Sequence, residues 1–308
     1  MILIMENKNE QTVEKLESQS SPPTGIQVVW REFKKDKLAL FSLIGSILLM
    51  IAIMIMALWT IDQTEVMKIQ LLERFTEPGV RGFILGADEA GRDMFGQLII
   101  GAKNSILIAV AVTIIANVVG IGLGIIMGYY GGFIDNFFMR IIDFFITLPT
   151  TMIIIVVVTI IPSYGILDLI LILAAFQWMS TARLVRSKAL SEARRDYISA
   201  SKTMGTSDFA IMFKGLLPNL SSLLIVEVTL SFAGNVGIET GLSFLGFGLP
   251  PSTPSLGTLV SYAMNPIILS SKWWVWLPAS ILILVMMLGI NYVGQALRRS
   301  ADAKQRLG

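Results

Sequence analysis

Residues Leu38 to Trp59 run for 22 positions without a charged side chain. Coiled as a helix such a run is about 33 Å long, enough to cross the hydrocarbon core of a bilayer. The rest of the chain has the same character: 54% of its 308 residues are hydrophobic, 15% are charged, and the mean hydropathy is +0.71. This is too apolar for a soluble globule of that length. The expected class is an all-α polytopic membrane protein with six transmembrane helices, over about 38–59, 104–130, 137–161, 166–182, 219–237 and 275–296. With no cysteine and no histidine, the chain has no disulfides, thiol nucleophiles, imidazole relays or zinc sites of the usual kinds.

Charge sets the expected topology. Arg31, Lys34, Lys35 and Lys37 precede the first apolar run, whereas the loop over 60–103 has seven acids against five bases. By the positive-inside rule the N-terminus is cytoplasmic and that loop is outside, and six spans return the C-terminus to the cytoplasm at Arg298 and Arg299. Residues 1–29 are polar and lack an apolar period, so they read as a disordered cytoplasmic tail. Residues 30–300 form the membrane domain, and 301–308 a cytoplasmic C-terminal tail. The opening apolar residues are too few for a signal-peptide core.

One long polar stretch, Leu190 to Pro218, interrupts the apolar runs of the C-terminal part. Counted from Arg183 it holds seven basic residues, so it lies in water. Ala193, Tyr197, Ala200 and Met204 recur at helical spacing and predict one apolar face. Gly205 then stops the helix. Thr206 or Ser207 caps a second, short helix with Asp208 in its first turn and Phe209, Met212 and Phe213 along one side. Leu217 and Pro218 end it and open the next span. An aromatic-tipped helix of two turns fits a partner's groove, and equally a loop helix folded back on its own bundle.

Other residues invite a choice between chemistry and structure. Asp88, Arg92 and Asp93 are either a metal or peptide site or a glycine-supported turn with acid-to-arginine bonds. Gly120, Gly124 and Gly128 repeat every fourth residue, as close helix packing in lipid requires. Arg140 and Asp143, three apart, pair on one helix face. Glu227 falls in the middle of a span, where an ionisable group lines a pathway or is held by structural hydrogen bonds. From Glu239 to Ser261, glycines and prolines break the helical pattern, and only protein or a water-filled cavity can satisfy such a backbone at membrane depth.

These stretches carry a resemblance. Ser199, Ala200 and Ser201, then Gly205, Gly215, Leu217 and Pro218, have the spacing of the "EAA" loop of ABC-importer permeases, with Ser199 in place of the motif's glutamate. Gly86, Asp88, Gly91, Arg92, Asp93 and Gly101, and the stretch from Glu239 to Ser261, are similar to motifs of the C-type permease subunit of oligopeptide, dipeptide and nickel importers. The resemblance implies a type I ABC importer transmembrane domain in the inner (cytoplasmic) membrane. Residues 206–215 become the coupling helix, with Ala200, Gly205, Asp208, Phe209, Met212, Phe213, Leu217 and Pro218 at the ATPase, and Glu227, Glu239, Ser243 and Phe244 along the substrate pathway. It also implies a homologous second permease, two cytoplasmic ATPases that hold ATP and magnesium, an extracytoplasmic substrate-binding protein, and short peptides as substrate. A nickel or other metal chelate is the second choice.

The chain lacks a P-loop, has no cofactor of its own, and is expected to be no enzyme and to bind no nucleic acid. An ion-coupled secondary transporter, using Glu227 and Glu239, is the reading from a different class, and would show two internal repeats, which are not seen.

Overall fold

A computed structural model describes residues 25–59, 61–162, 164–250 and 252–305. Residues 1–24 of the tail expected over 1–29, residues 306–308, Thr60, Ser163 and Pro251 lie outside the described residues. The helices in chain order are α1 (Gly25–Phe33), α2 (Lys37–Trp59), α3 (Gln63–Val66), α4 (Met94–Tyr130), α5 (Gly132–Thr147), α6 (Thr150–Ile160), α7 (Ile166–Glu192), α8 (Asp196–Thr203), α9 (Asp208–Phe244), α10 (Leu256–Ser261), α11 (Pro266–Ser271) and α12 (Trp273–Gln305). Helices α2, α4, α7, α9 and α12 are each long and apolar enough to cross a membrane. The pair α5 and α6, bent by 84°, is together long and apolar enough for one more and makes six if counted as a single broken span.

That bend corrects the single helix expected over 137–161. Proline disfavours the helical region for the residue before it, and Leu148, ahead of Pro149, sits at φ −89°, ψ 146°. Helix α4 begins ten residues earlier than expected: Asp93 caps it by accepting from the amides of Phe95 (3.2 Å) and Gly96 (2.8 Å). Helix α7 runs on to Glu192, so Arg183, Arg186 and Lys188 ride its last turns instead of a loop. The terminal tails shrink too. Residues 25–33 are helical, with Val29 and Phe33 buried against Val293 and Leu297 of α12, and α12 continues to Gln305.

The glycine stripe does what its spacing predicts. A Cβ on Gly120 would lie 2.8 Å from the Trp178 carbonyl oxygen, one on Gly124 2.8 Å from that of Ala182, and one on Gly128 2.5 Å from the Ala189 side chain. Helices α4 and α7 therefore approach at backbone distance, and only glycine fits. The pair expected between Arg140 and Asp143 is replaced by two longer-range ones: Arg186 binds Asp135 and Arg183 binds Asp143, tying α5 to α7. The bond of Arg186 to Asp135 is two-pronged, the geometry in which a guanidinium holds a carboxylate best.

At the basic end, Ile125, Val185, Ile198, Ile211, Met212 and Leu216 form one buried cluster joining α4, α7, α8 and the start of α9. At the opposite end the segment 61–93 folds down on α12. The amide of Gln70 donates to Ala90 (2.9 Å), that of Ala87 to Thr76 (2.9 Å), and the indole of Trp274 to Ala87 (3.2 Å). Gly91 is obligatory there: its φ is +75°, and a Cβ would stand 1.9 Å from the carbonyl oxygen of Gln70.

Candidate functional site

The polar stretch ends α8 at Gly205, whose φ of +80° is the left-handed conformation a helix stop uses. The amides of Gly205 and Thr206 then donate to Lys202 (3.0 Å) and Ser201 (3.1 Å). Ser207 caps the next helix, accepting from the amide of Ala210. The helix that Ser207 opens is not a separate two-turn rod. From Asp208 the chain is helical without interruption to Phe244, so Leu217 and Pro218 lie inside α9. A wider π-helical turn over Ile211–Leu216 makes this possible, the amide of Leu217 donating five residues back to Met212. Proline has no N–H and its ring crowds the carbonyl four residues before it, and a wider turn relieves both.

The exposed side of this segment differs from the expected one. Phe209 and Phe213 are 67% and 44% exposed and their rings sit 4.4 Å apart, whereas Met212 is buried. Met212 faces inward and joins Ile211 and Leu216 in the core of the basic end. On α8 the expected apolar face of Tyr197, Ala200 and Met204 is exposed, and Ile198 is the residue that packs. The surface offered is thus Met204 with the Phe209 and Phe213 pair. Asp208 does more than favour the helix start: it accepts from the hydroxyl of Tyr129 at the end of α4, while the ammonium of Lys202 lies 4.3 Å above the Tyr129 ring. Tyr129 and Asp208 are 79 residues apart, and no local pattern announces such a pair.

Midway along α9 lies a cavity of about 280 Å³ between α4, α7 and α9. Glu227 lines it, as do Asn117 of α4, Gln177, Ser180 and Thr181 of α7, and Ser231 and Asn235 of α9. The hydroxyl of Thr181 donates to Glu227 at 3.2 Å. Apart from Glu227 these residues went unmarked in the sequence, although polar side chains recurring within apolar spans are a signal that could have found them.

Glu239 and Ser243, expected on the same path, do not line this cavity. Both are buried at the far end of α9, where Glu239 accepts from the hydroxyls of Ser105 and Ser243, each at 2.8 Å. The amide of Leu256 donates to Ser105 (3.0 Å), and Asn104 donates to the carbonyl of Pro254 (2.8 Å). The carboxylate is the centre of a clamp that pins the broken segment after α9 onto α4. Phe244 is half-buried beside it and is also absent from the cavity wall. Nearby, Asp88 accepts from the amides of Ala90 (2.8 Å) and Arg92 (2.9 Å), from the Arg92 guanidinium (2.7 Å) and from Gln97 (3.0 Å). The glycine-supported turn, not a metal site, is the use these residues serve: the oxygens of Asp88 are spent on donors, and Asp93 is spent on its cap. Arg92 also donates to the Tyr262 hydroxyl at 2.9 Å. Burial and the Asp88 charge push the Tyr262 phenol up to about 12.

Comparison with known proteins fits this geometry. The family of binding-protein-dependent transport system inner membrane components matches residues 120–307. The oligopeptide transport system permease protein OppC of Lactococcus lactis is 48% identical over 280 residues, 91% of this chain and 95% of the relative. The dipeptide transport system permease protein DppC of Haemophilus influenzae is 33% identical over 92% of this chain and 96% of its own length. The di/tripeptide transport system permease protein DppC of Pseudomonas aeruginosa is 33% identical over 92% and 93%. The chain belongs to the family of binding-protein-dependent transport system inner membrane components, as a permease subunit of the C type.

Proposed function

We propose that this permease subunit carries short peptides, forming half of a pathway that a homologous second permease completes. The observation that carries this is the 48% identity, along nearly the whole of both chains, with a protein named for oligopeptide transport. Neither the metal-chelate reading nor the ion-coupled one has a comparable observation behind it. In the proposed arrangement the basic end is cytoplasmic, with both termini there, and two ATPases dock on it, holding ATP and magnesium. A binding protein delivers peptide at the opposite end.

The mechanism follows from α9. Its first two turns present Phe209 and Phe213, and Glu227 lies 18 positions beyond Phe209, about 27 Å along the helix. Nothing flexible lies between them, for the π-turn keeps the helix unbroken through Pro218. When the ATPases close on ATP, the aromatic pair is displaced, and a rigid rod carries that displacement to the cavity wall. The bond of Tyr129 to Asp208 makes α4 move with it, and the glycine stripe carries α7 along, so all three walls shift together. Coupling requires contacts that differ between the two states, and the exposed ring pair is placed to make them.

The test is uptake of labelled short peptides into vesicles that contain the whole importer. Uptake that requires ATP and the binding protein is the expected result. Uptake insensitive to ATP depletion and driven by an ion gradient would overturn the proposal.

A further inference from the structure

In the cavity beside Glu227 the Asn117, Thr181 and Ser231 donors are engaged within the chain, while Gln177 and Ser180 keep theirs. The amide nitrogen of Asn117 donates to the carbonyl oxygen of Thr113 (2.8 Å) and to Ser231 (2.9 Å). A carbonyl oxygen can only accept, so the nitrogen must be the atom on that side, and Oδ1 is fixed on the other. That oxygen is buried and has no partner among the described residues, on a side chain only 4% exposed. Ser231 spends its proton on the carbonyl of Val228 (3.1 Å), and Thr181 spends its own on Glu227. Asn235 repeats the pattern: its amide nitrogen donates to Thr113 Oγ1 (2.9 Å), whose proton goes to Ala109. Among the described residues no lysine or arginine lines the cavity.

A carboxylate and an orphaned carbonyl oxygen, beside Thr181 and Ser231 whose protons are already spent, suit a group that has several donors and a positive charge. An ammonium is such a group. From the Glu227 carboxylate and the unpartnered Asn117 oxygen in one mid-membrane cavity, we infer that the ammonium of a passing peptide is held there. That ammonium is either the N-terminal one or a lysine side chain's. The cavity thereby works as a charge-selecting waypoint. Its cargo rests on the peptide reading above; the acceptor character of the cavity does not.

The test exploits the absence of native cysteine from this chain. In the whole importer, Ser180→Cys puts one thiol of this chain on the exposed part of the cavity wall, and its modification is read on this chain alone. Methanethiosulfonates with a cationic or an anionic head are compared after correction for their intrinsic rates. The cationic reagent should react about tenfold faster or more, since a cleft of one charge concentrates counter-ions by that order. Adding Glu227→Gln should abolish the preference. An equal rate for both heads, a preference that survives Glu227→Gln, or a thiol that reacts with neither would overturn the inference. Three peptides then compete with the reagent: one with a free amino terminus and no lysine, its N-acetylated form, and an N-acetylated form containing lysine. Protection by the first or the third alone names the source of the ammonium, and protection by both means either serves. Protection by the acetylated lysine-free peptide, or by none, contradicts the ligand assigned. Loss of peptide uptake by the unmodified importer would instead sink the peptide reading and leave the labelling ratio standing.

Discussion

The two ends of α9 are built on opposite principles. At its far end the Glu239 carboxylate meets groups of the same chain: Ser105 and Ser243 serve it, and Leu256 and Pro254 are served by α4. At its near end two large rings, Phe209 and Phe213, stand in the open and touch chiefly one another. Both ends fall in stretches that look equally distinctive in the sequence. The difference teaches that a distinctive stretch marks either a joint the chain completes alone or a surface it leaves for another. Only burial and bonding tell them apart.

If the far end is a self-completed joint, breaking it should cost folding. Asp88→Ala strips a buried carboxylate from Arg92, and removing one member of a buried ion pair costs on the order of 3–5 kcal/mol. Thermal unfolding of the purified subunit should register this. A loss below about 1 kcal/mol, the range of exposed pairs, would break the comparison. Gly124→Val probes the shared frame between the ends, forcing α4 from α7 at about 1–3 kcal/mol by overpacking. A smaller shift would mean that the helices part easily.

The Tyr262 phenol sharpens the far end by pH. Its folded value, about 12, lies above the ordinary 10.0, so the stability it adds is whole below the ordinary value and disappears as pH climbs through the folded one. An alkaline unfolding step that Tyr262→Phe removes is the expected outcome. Phe213→Ala should have the smallest effect on folding, within about 0.5 kcal/mol for a surface change. Peptide uptake and peptide-stimulated ATP hydrolysis should nevertheless collapse, since a central aromatic anchor of an interface is worth about 2 kcal/mol or more. A destabilised but still active variant would invert the comparison.

How much of the molecule is legible in its sequence depends on the range of the interaction. Spans and the glycine stripe show in the sequence because period alone sets them, and Gly205 shows because one residue's backbone does. The continuity of α9 is hidden, since Pro218 ordinarily begins a helix and the π-turn that admits it has no sequence signature. The burial of Met212 comes from packing against Ile125, Val185 and Ile198 of other helices, which no local pattern shows. The pairs of Arg186 with Asp135 and of Tyr129 with Asp208 join residues 51 and 79 apart, and only the fold brings such residues together. Pro149 does announce the break between α5 and α6, but the apolar run on both sides masks it. The cavity is half legible: Glu227 is conspicuous in a span, whereas Asn117, Ser180 and Thr181 gain meaning only when three helices meet.

The central claim is that the start of α9 is held by a cytoplasmic ATPase. With no native cysteine to interfere, Phe209→Cys can be joined by a short bifunctional crosslinker to whatever lies against it in intact membranes. The expected result is a crosslink to the ATPase whose yield changes on ATP binding, and no labelling of that thiol by a membrane-impermeant reagent added outside the cell. Labelling from outside, or a thiol that joins no other polypeptide, would contradict it.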